Sequence, residues 1–254
     1  MVNIRNNQEL DSMRESGRIT ACALKRVLEN IKIGITALEL DKIAEEEIQS
    51  RGGGASFKTV EGYPYTTCVT FNNQVVHGLP TSRKIMEGDI VSVDLGTVFK
   101  GWHTDSAWSL VVGKANNQAG KFLSAGEEAL WLGIKQAKEG SRIGDIASAI
   151  QQKVEGSGYS VVRSLVGHGV GQELHEDPEV PGYGKAGIGL ELKSGMTLAI
   201  EVIYALSKPE VFLEDDGWTV STLDGSLSGL FEMTVIVGKE RSEVITNWRG
   251  SPIL

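Results

Sequence analysis

Four carboxylates in this chain of 254 residues stand where a carboxylate is out of place. Asp94 lies in IVSVDL, Asp105 in WHTDSA, Glu201 in TLAIEVI and Glu232 in LFEMTVIV, each a lone acid in a β-branched or apolar setting. Acids are depleted in strands and seldom buried without a partner, because the charged form loses its hydration. Taken singly, an ion pair or a turn cap accounts for such a residue. Strand alternation, however, puts Ser92, Asp94 and Gly96 on one face and Val91, Val93 and Leu95 on the other. If Lys100-Gly101 closes a two-residue hairpin, Asp105 falls opposite Gly96, diagonal to Asp94 on the same face. Two like charges that close repel and are costly to desolvate, and a dication resolves the conflict. One shared metal centre explains together what would otherwise be four separate anomalies.

The four histidines narrow the chemistry. His77 stands in VVHGLP, and His168 and His175 share GHGVGQELHE, where flanking glycines let the rings reach inward. His103, in GWHTD, is expected to be structural, pointing to the face opposite Asp105 or lying at the rim. Four carboxylates with one or two imidazoles, and no thiolate, suit Mn²⁺, Fe²⁺, Co²⁺ or Zn²⁺, and more than one ion. Two dications balance four carboxylates, so a hydroxide bridging the pair would sit at a nearly neutral site. Such a pair lowers the pKa of its water and steadies a tetrahedral intermediate. The reaction implied is hydrolysis, with an amide as the favoured substrate.

The elements that must position these groups follow from periodicity. Apolar residues from Leu10 to Ile31 recur at three- and four-residue steps, with Asn6 or Asn7 available as cap, and predict a helix over 8–31. A second helix follows Thr36, carries Leu40, Ile43, Ala44 and Ile48 inward, and ends at Gly52-Gly53-Gly54. Strands are expected at Cys68–Phe71, Ile90–Leu95 and Asp105–Val112. Helical spacing returns through Leu123, Leu130, Ile134 and Ala137, then through Ile146, Ile150 and Val154. Strands resume near Tyr159, over Thr197–Tyr204 and over Leu230–Val237. Gly34, Leu40, Ile48 and Gly52 correspond to Gly140, Ile146, Val154 and Gly158, each 106 residues later. A shift of 107 superposes GDIVSVD on GMTLAIE and makes Asp94 and Glu201 equivalent. The expected architecture is α+β: a single domain over 1–254, with related halves of about 1–113 and 114–254 and helices packed on one side of a curved antiparallel sheet.

Composition sets the outer limits. The net charge of −8 disfavours an electrostatic nucleic-acid binder. The 31 glycines, without a collagen period, point to many tight turns. Cys22 and Cys68 alone cannot build a disulfide framework, so a reducing compartment is expected. MVNIRNNQEL has no apolar signal core, and no stretch reaches the roughly 18 apolar residues of a membrane span. A soluble, cytoplasmic protein without membrane or DNA partners is the expectation.

The segments NNQVVHGLP, GDIVSVDLG followed by GWHTDSA, VGHGVGQELHEDPEV, LKSGMTLAIE and FEMT closely resemble the type I methionine aminopeptidases, in order and over nearly the whole chain. The resemblance implies the pita-bread fold of two pseudo-symmetric halves and a monomeric catalytic domain. It implies two divalent ions held by Asp94, Asp105, His168, Glu201 and Glu232, with Asp105 and Glu232 bridging and His168 and Glu201 on one ion. His77 and His175 correspond to non-ligand histidines that hydrogen-bond the scissile region and the developing oxyanion, and Glu232 or Glu201, the latter favoured in this family, would pass the proton to the leaving amine. Tyr63, Cys68, Leu174 and Trp218 would line the pocket for the methionine side chain, whose unbranched thioether suits apolar, polarizable walls. The implied substrates are nascent polypeptide N-termini with a small second residue, with the ribosome as a candidate partner.

Four positions depart from the family's pattern: Met233 and Glu61 where histidine is usual, Val202 where proline is usual, and Leu174 where phenylalanine is usual. None is a metal ligand. They bear on rate and side-chain preference more than on hydrolysis. Two other readings remain: a related pita-bread peptidase cutting before proline, and a non-catalytic pita-bread binding protein. The first usually carries a large extra N-terminal domain, and the second typically loses metal ligands that are intact here.

Overall fold

The computed structural model describes residues 2–114 and 117–249. Helices α1 (Asn7–Asn30) and α2 (Ala37–Ser50) open the chain, each closed by a reciprocal capping box, Asn6 with Glu9 and Thr36 with Glu39. The first cap is therefore Asn6. Next come β1 (Gly54–Ala55), a 3₁₀ turn at Phe57–Thr59, β2 (Thr67–Phe71), β3 (Gln74–Val76), β4 (Ile90–Phe99) and β5 (Trp102–Val111). Helices α3 (Asn117–Gln136) and α4 (Ile143–Gly156) follow. The remaining strands are β6 (Ser160–Val161), β7 (Gly167–Gly169), β8 (Glu176–Val180), β9 (Thr197–Ala205), β10 (Val211–Leu213), β11 (Val220–Thr222), β12 (Ser228–Ile236) and β13 (Glu243–Val244). Helices α2 and α4 are both 14 residues long and begin 106 residues apart, while β4 and β9 begin 107 apart.

The main sheet runs β1-β4-β5-β12-β9-β7-β8, with β2 beside β4, β6 beside β9 and β13 beside β12, and every pairing is antiparallel. Lys100 (φ 51°) and Gly101 (φ 80°) close the β4–β5 hairpin with both central residues left-handed, which sets Phe99 opposite Trp102 and Gly96 opposite Asp105.

Each face of this sheet has its own chemistry. Val91, Val93 and Leu95 of β4, Ile200, Val202 and Tyr204 of β9, and Phe231, Met233 and Val235 of β12 join Ile19 and Leu24 of α1 and Phe122 and Leu130 of α3 in one buried cluster. The helices therefore cover the apolar face. Tyr204 is closely packed within it: the hydroxyl donates to Phe122 O at 2.7 Å, and the ring lies against both Gly126 and Gly229. The opposite face carries the acids. It is covered in part by a three-stranded sheet, β10-β11-β3, and by the segments around Phe57 and Leu174. Among the described residues, no helix is long and apolar enough to cross a membrane.

Candidate active site

Register builds the site. Cys68, Asp94, Ala107, Glu232 and Glu201 are successive partners across β2, β4, β5, β12 and β9, and so form a single row on one face. The neighbouring row contains Gly96 opposite Asp105, and His168 opposite Ala199. Thr234 links them, since Asp105 N donates to Thr234 Oγ1 at 2.9 Å and that hydroxyl donates back to Asp105 O at 2.8 Å. Small residues (Gly96, Ala107 and Ala199) separate the functional ones. A Cβ at Gly96 would stand 2.8 Å from Ser56 Cβ, so the space beside Asp105 depends on that glycine.

Ligand atoms of Asp105, His168 and Glu232 all lie within 4.8 Å of one another. His168 Nδ1 is 2.8 Å from Gly169 O, which fixes the proton there and leaves the Nε2 lone pair facing the acids, 4.0 Å from Glu232 Oε1. Burial and His175 hold the His168 pKa down at about 4, so the imidazole is neutral and this contact is not an ion pair. Asp94 and Asp105 share a side-chain hydrogen bond, yet Asp94 Oδ1 is buried with no partner. Burial and then Asp105 and Glu201 push Asp94 well above the carboxylate range; burial and Asp105, Glu201 and Asp94 do the same to Glu232. Burial raises Asp105 to about 6, and burial with the Asp105 charge raises Glu201 to about 8. Asp94 and Glu201 keep some surface because the cavity opens onto them, but protein on the remaining sides strips most of their hydration. Neutral imidazole, crowded acids and an orphaned carboxylate oxygen are what a divalent-cation site consists of, and the donor set fits one.

The two rows form the floor of a cavity of about 140 Å³. His77 follows β3 in the left-handed region (φ 58°), a conformation uncommon outside glycine, and its ring stands at the cavity mouth. His175 packs edge-on against His168 with centroids 4.4 Å apart. Loss of hydration lowers the pKa of both His77 and His175. The apolar wall joins Tyr63, Cys68 and Leu174 to Phe57, with Val60 and Trp218 packed on it. Tyr63 and Trp218 meet edge to face at 4.9 Å, and Tyr63 Oη donates to Thr67 O at 2.8 Å and lies 3.1 Å from Cys68 Sγ. Asp41 of α2 holds this wall by accepting from Thr66 N, Thr67 N and Thr67 Oγ1 at 2.8–2.9 Å.

All the residues expected from the sequence as ligands, catalytic groups or pocket wall thus reach one cavity, joined by three that were not: Phe57, Val60 and Val76. Val76 had a readable signal in its place next to His77. Phe57 and Val60 sit in a short irregular segment whose burial comes only from tertiary packing. His103 corrects one expectation. Its partner Val98 lies two residues from Gly96, so His103 is not on the opposite face but on the same face as Asp105, buried, where Ser56 Oγ contacts its Nδ1. The departures fall in different places. Met233 points into the apolar face with its Sδ 3.5 Å from Ser106 Oγ and 3.4 Å from Thr246 Oγ1, and Val202 is fully buried in the same layer. Leu174 is part of the pocket wall, while Glu61 is exposed in the turn between Val60 and Tyr63.

Residues 11–238 match metallopeptidase family M24, and the chain belongs to that family. Among its full-length relatives there are methionine aminopeptidases. That of Clostridium perfringens is 44% identical over 246 residues, 97% of this chain and 99% of its own, and methionine aminopeptidase 1 of Bacillus subtilis is 43% identical over the same shares. The crystal structure of the Thermotoga maritima methionine aminopeptidase superposes with a TM-score of 0.95 at 40% identity, covering 97% of this chain and 99% of that one. The architecture is the α+β pita-bread fold of these enzymes. A prolidase from Pyrococcus furiosus, 22% identical with a TM-score of 0.78 and matched over 65% of its length, shares the fold alone.

Proposed function

We infer that this chain is an aminopeptidase that hydrolyses the peptide bond following an N-terminal methionine. The observation that carries the reading is the convergence of four acids, two buried and two half-buried, and a neutral imidazole on two adjacent rows at the floor of an apolar cavity. Asp94, Asp105, His168, Glu201 and Glu232 would hold two divalent ions of the Mn, Fe, Co or Zn group. When bound, such ions polarise the scissile carbonyl and supply a nucleophilic water at neutral pH.

The rest of the reaction belongs to the chain's own groups. Tyr63, Cys68, Leu174 and Trp218 receive the unbranched thioether side chain and exclude water around it. His77 and His175, approaching from loops on the cavity's mouth side, donate to the scissile region and to the oxygen on which negative charge develops. Glu201, at the end of its row, carries the proton to the departing amine. The substrates are polypeptides with a small second residue, and we place the enzyme in the cytoplasm as a monomer acting on nascent chains, with the ribosome as the candidate partner. A peptidase specific for bonds before proline is less well supported, since that likeness extends to the fold alone. The test is release of methionine from Met-Ala-Ser against hydrolysis of Ala-Pro peptides by chelated protein given back Mn²⁺, Co²⁺ or Zn²⁺. Metal-dependent cleavage of the first alone supports the reading, and cleavage of neither overturns it.

A further inference from the structure

The residues ahead of α1 are fastened to the loop that carries His175. Arg5 N donates to Gly195 O at 2.9 Å, and the Arg5 guanidinium lies 5.0 Å from the centroid of the Trp102 ring. Its Nη2 forms an ion pair with Glu176 Oε2, in which the two side chains are only 7% and 10% exposed. Asn3 Nδ2 donates to the same oxygen at 3.1 Å. The other carboxylate oxygen, Oε1, accepts from Glu173 N at 3.2 Å. Glu176 is also the register partner of Gly169, one residue past His168, so its carboxylate closes the loop over 170–175 from the outside.

Gly171, inside that loop, is where the arm passes closest. A Cβ there would stand 2.0 Å from Arg5 Nη2 and 2.6 Å from Glu176 Oε1. The same residue accepts from His103 N at 2.7 Å and donates to Glu173 O at 3.0 Å. The loop is thus held at Gly169, Gly171, Glu173 and Glu176 while Leu174 and His175 project into the cavity. As a source of stability the pair is a poor device. Two charges lose their hydration, and Arg5 Nε is buried with no partner. A planar guanidinium stacked on Trp102 fixes direction well, and direction is what a histidine acting at hydrogen-bond range requires.

We propose that Arg5 and Glu176 are positioning residues: the arm over 3–6 locks the loop over 170–175 so that His175 and Leu174 are held in register with the acids on the floor. The proposal rests on the aminopeptidase reading above. It places a determinant of turnover outside the cavity, in a segment that lines none of it.

The experiment compares Arg5→Gln, Glu176→Gln and the double variant with the unaltered chain, all loaded with Mn²⁺, on Met-Ala-Ser. Misplacement of a reacting group by about an ångström lowers kcat by about ten- to a hundredfold, and a fall in that range, with metal content unchanged, is expected for each single variant. The double variant should be no slower than the worse single, because both cut the same tie. Arg5→Lys, which keeps the charge and most of the stem, should recover part of the loss. In the chelated protein, hydrogen exchange at the Glu173 amide should quicken in Arg5→Gln while amides of β9 and β12 stay protected, which also shows that the fold survives. Unchanged kcat in both single variants, losses that multiply in the double variant, or metal lost in step with activity would each overturn the proposal. An inactive unaltered chain would instead refute the aminopeptidase reading, and the exchange measurement would still decide whether the arm holds the loop.

Discussion

Glu201 and Glu232 stand directly opposite each other on the antiparallel strands β9 and β12, a half-buried and a buried carboxylate in one cross-strand pair. Opposed side chains in such a ladder have their Cβ atoms about 5 Å apart, a spacing at which like charges repel. Among the described residues, no lysine or arginine lines the cavity to offset them. The pairing is a cost carried by the fold. Ala107 continues the row to Asp94, and the apolar layer on the far side of the sheet keeps the strands in register despite the repulsion.

That cost has a measurable sign. Above pH 6.5 the unfolded chain's carboxylates are fully ionised, whereas in the metal-free fold Glu201, raised to about 8, still holds a proton, and Asp94 and Glu232 are shifted in the same direction. The folded state therefore binds more protons, and its stability falls as pH rises from 6.5 to 8. Below pH 6.5 the slope reverses in part, because His77, His168 and His175 have lowered pKa values and are protonated more readily in the unfolded chain. The melting temperature of chelated protein should thus be lower at pH 8 than at pH 6.5. Adding Mn²⁺ at pH 7 should raise it and release protons, measurable in weakly buffered solution. A chelated protein that gains stability towards pH 8 would contradict this account.

Asp105 separates metal binding from folding. Its carboxyl is 4% exposed, hydrogen-bonded to Asp94, and one corner of the triangle with His168 and Glu232. Asp105→Ala should abolish activity and metal uptake, read by elemental analysis, while circular dichroism remains that of a folded chain. Removing one of several crowded acids also relieves repulsion, so the variant's melting temperature in chelator should not drop by the amount a typical buried-polar deletion causes. Full activity in Asp105→Ala would sink the assignment.

His175 should behave in the opposite way. It touches the His168 ring but is not part of the triangle of ligand atoms. His175→Ala is expected to keep its metal and lose turnover by about 10² to 10³, the usual cost of removing one donor to a developing oxyanion. Parallel loss of metal and activity would reassign His175 to the metal.

The main strands and helices were legible because their signals are local and redundant. The two-residue turn at Lys100-Gly101 fixed the β4–β5 register from sequence, and with it the placing of Asp105 opposite Gly96. The lone acids stood out because nothing else in an apolar strand explains them. His103 departs from the opposite-face expectation because residues 103 and 105 share parity, so the hairpin register places both on one side. The small β10-β11-β3 sheet and the Phe57–Val60 wall gave no sequence signal, since their strands are three residues long and their burial is decided by what packs on them. The Arg5–Glu176 tie joins residues 171 positions apart, a separation that periodicity cannot bridge.

Leu174 tests the pocket. It is 6% exposed and closes the apolar wall beside Tyr63 and Cys68. In a hydrophobic pocket each methylene of complementarity is worth about 1–3 kcal/mol, so Leu174→Ala should raise KM for Met-Ala-Ser by about tenfold or more. Because the side chain touches the substrate equally before and during reaction, kcat should change far less. The same variant should narrow the gap between methionine and bulkier N-terminal residues such as phenylalanine. Unaltered KM would place the methionine side chain elsewhere.

Gly126 reports on the layer beneath the site. A Cβ on this α3 residue would stand 2.5 Å from the Tyr204 ring, which a Cβ on Gly229 would likewise meet at 2.6 Å and which is tethered by its hydroxyl to Phe122 O. The ring has no free volume to move into, being fully buried against Phe122 at 4.4 Å between centroids. Gly126→Ala gains helix propensity worth up to about 1 kcal/mol, but overpacking a closed core costs about 1–3 kcal/mol and occasionally more. The second effect should win, because the clash is with a tethered ring rather than with the free end of a flexible chain. Urea unfolding should therefore show a lower midpoint with an unchanged slope. Tyr204 lies three residues beyond Glu201 on β9, so a ring forced aside would also tilt the strand that carries the Glu201 carboxylate. The variant should accordingly bind Mn²⁺ more weakly, although no ligand has been altered.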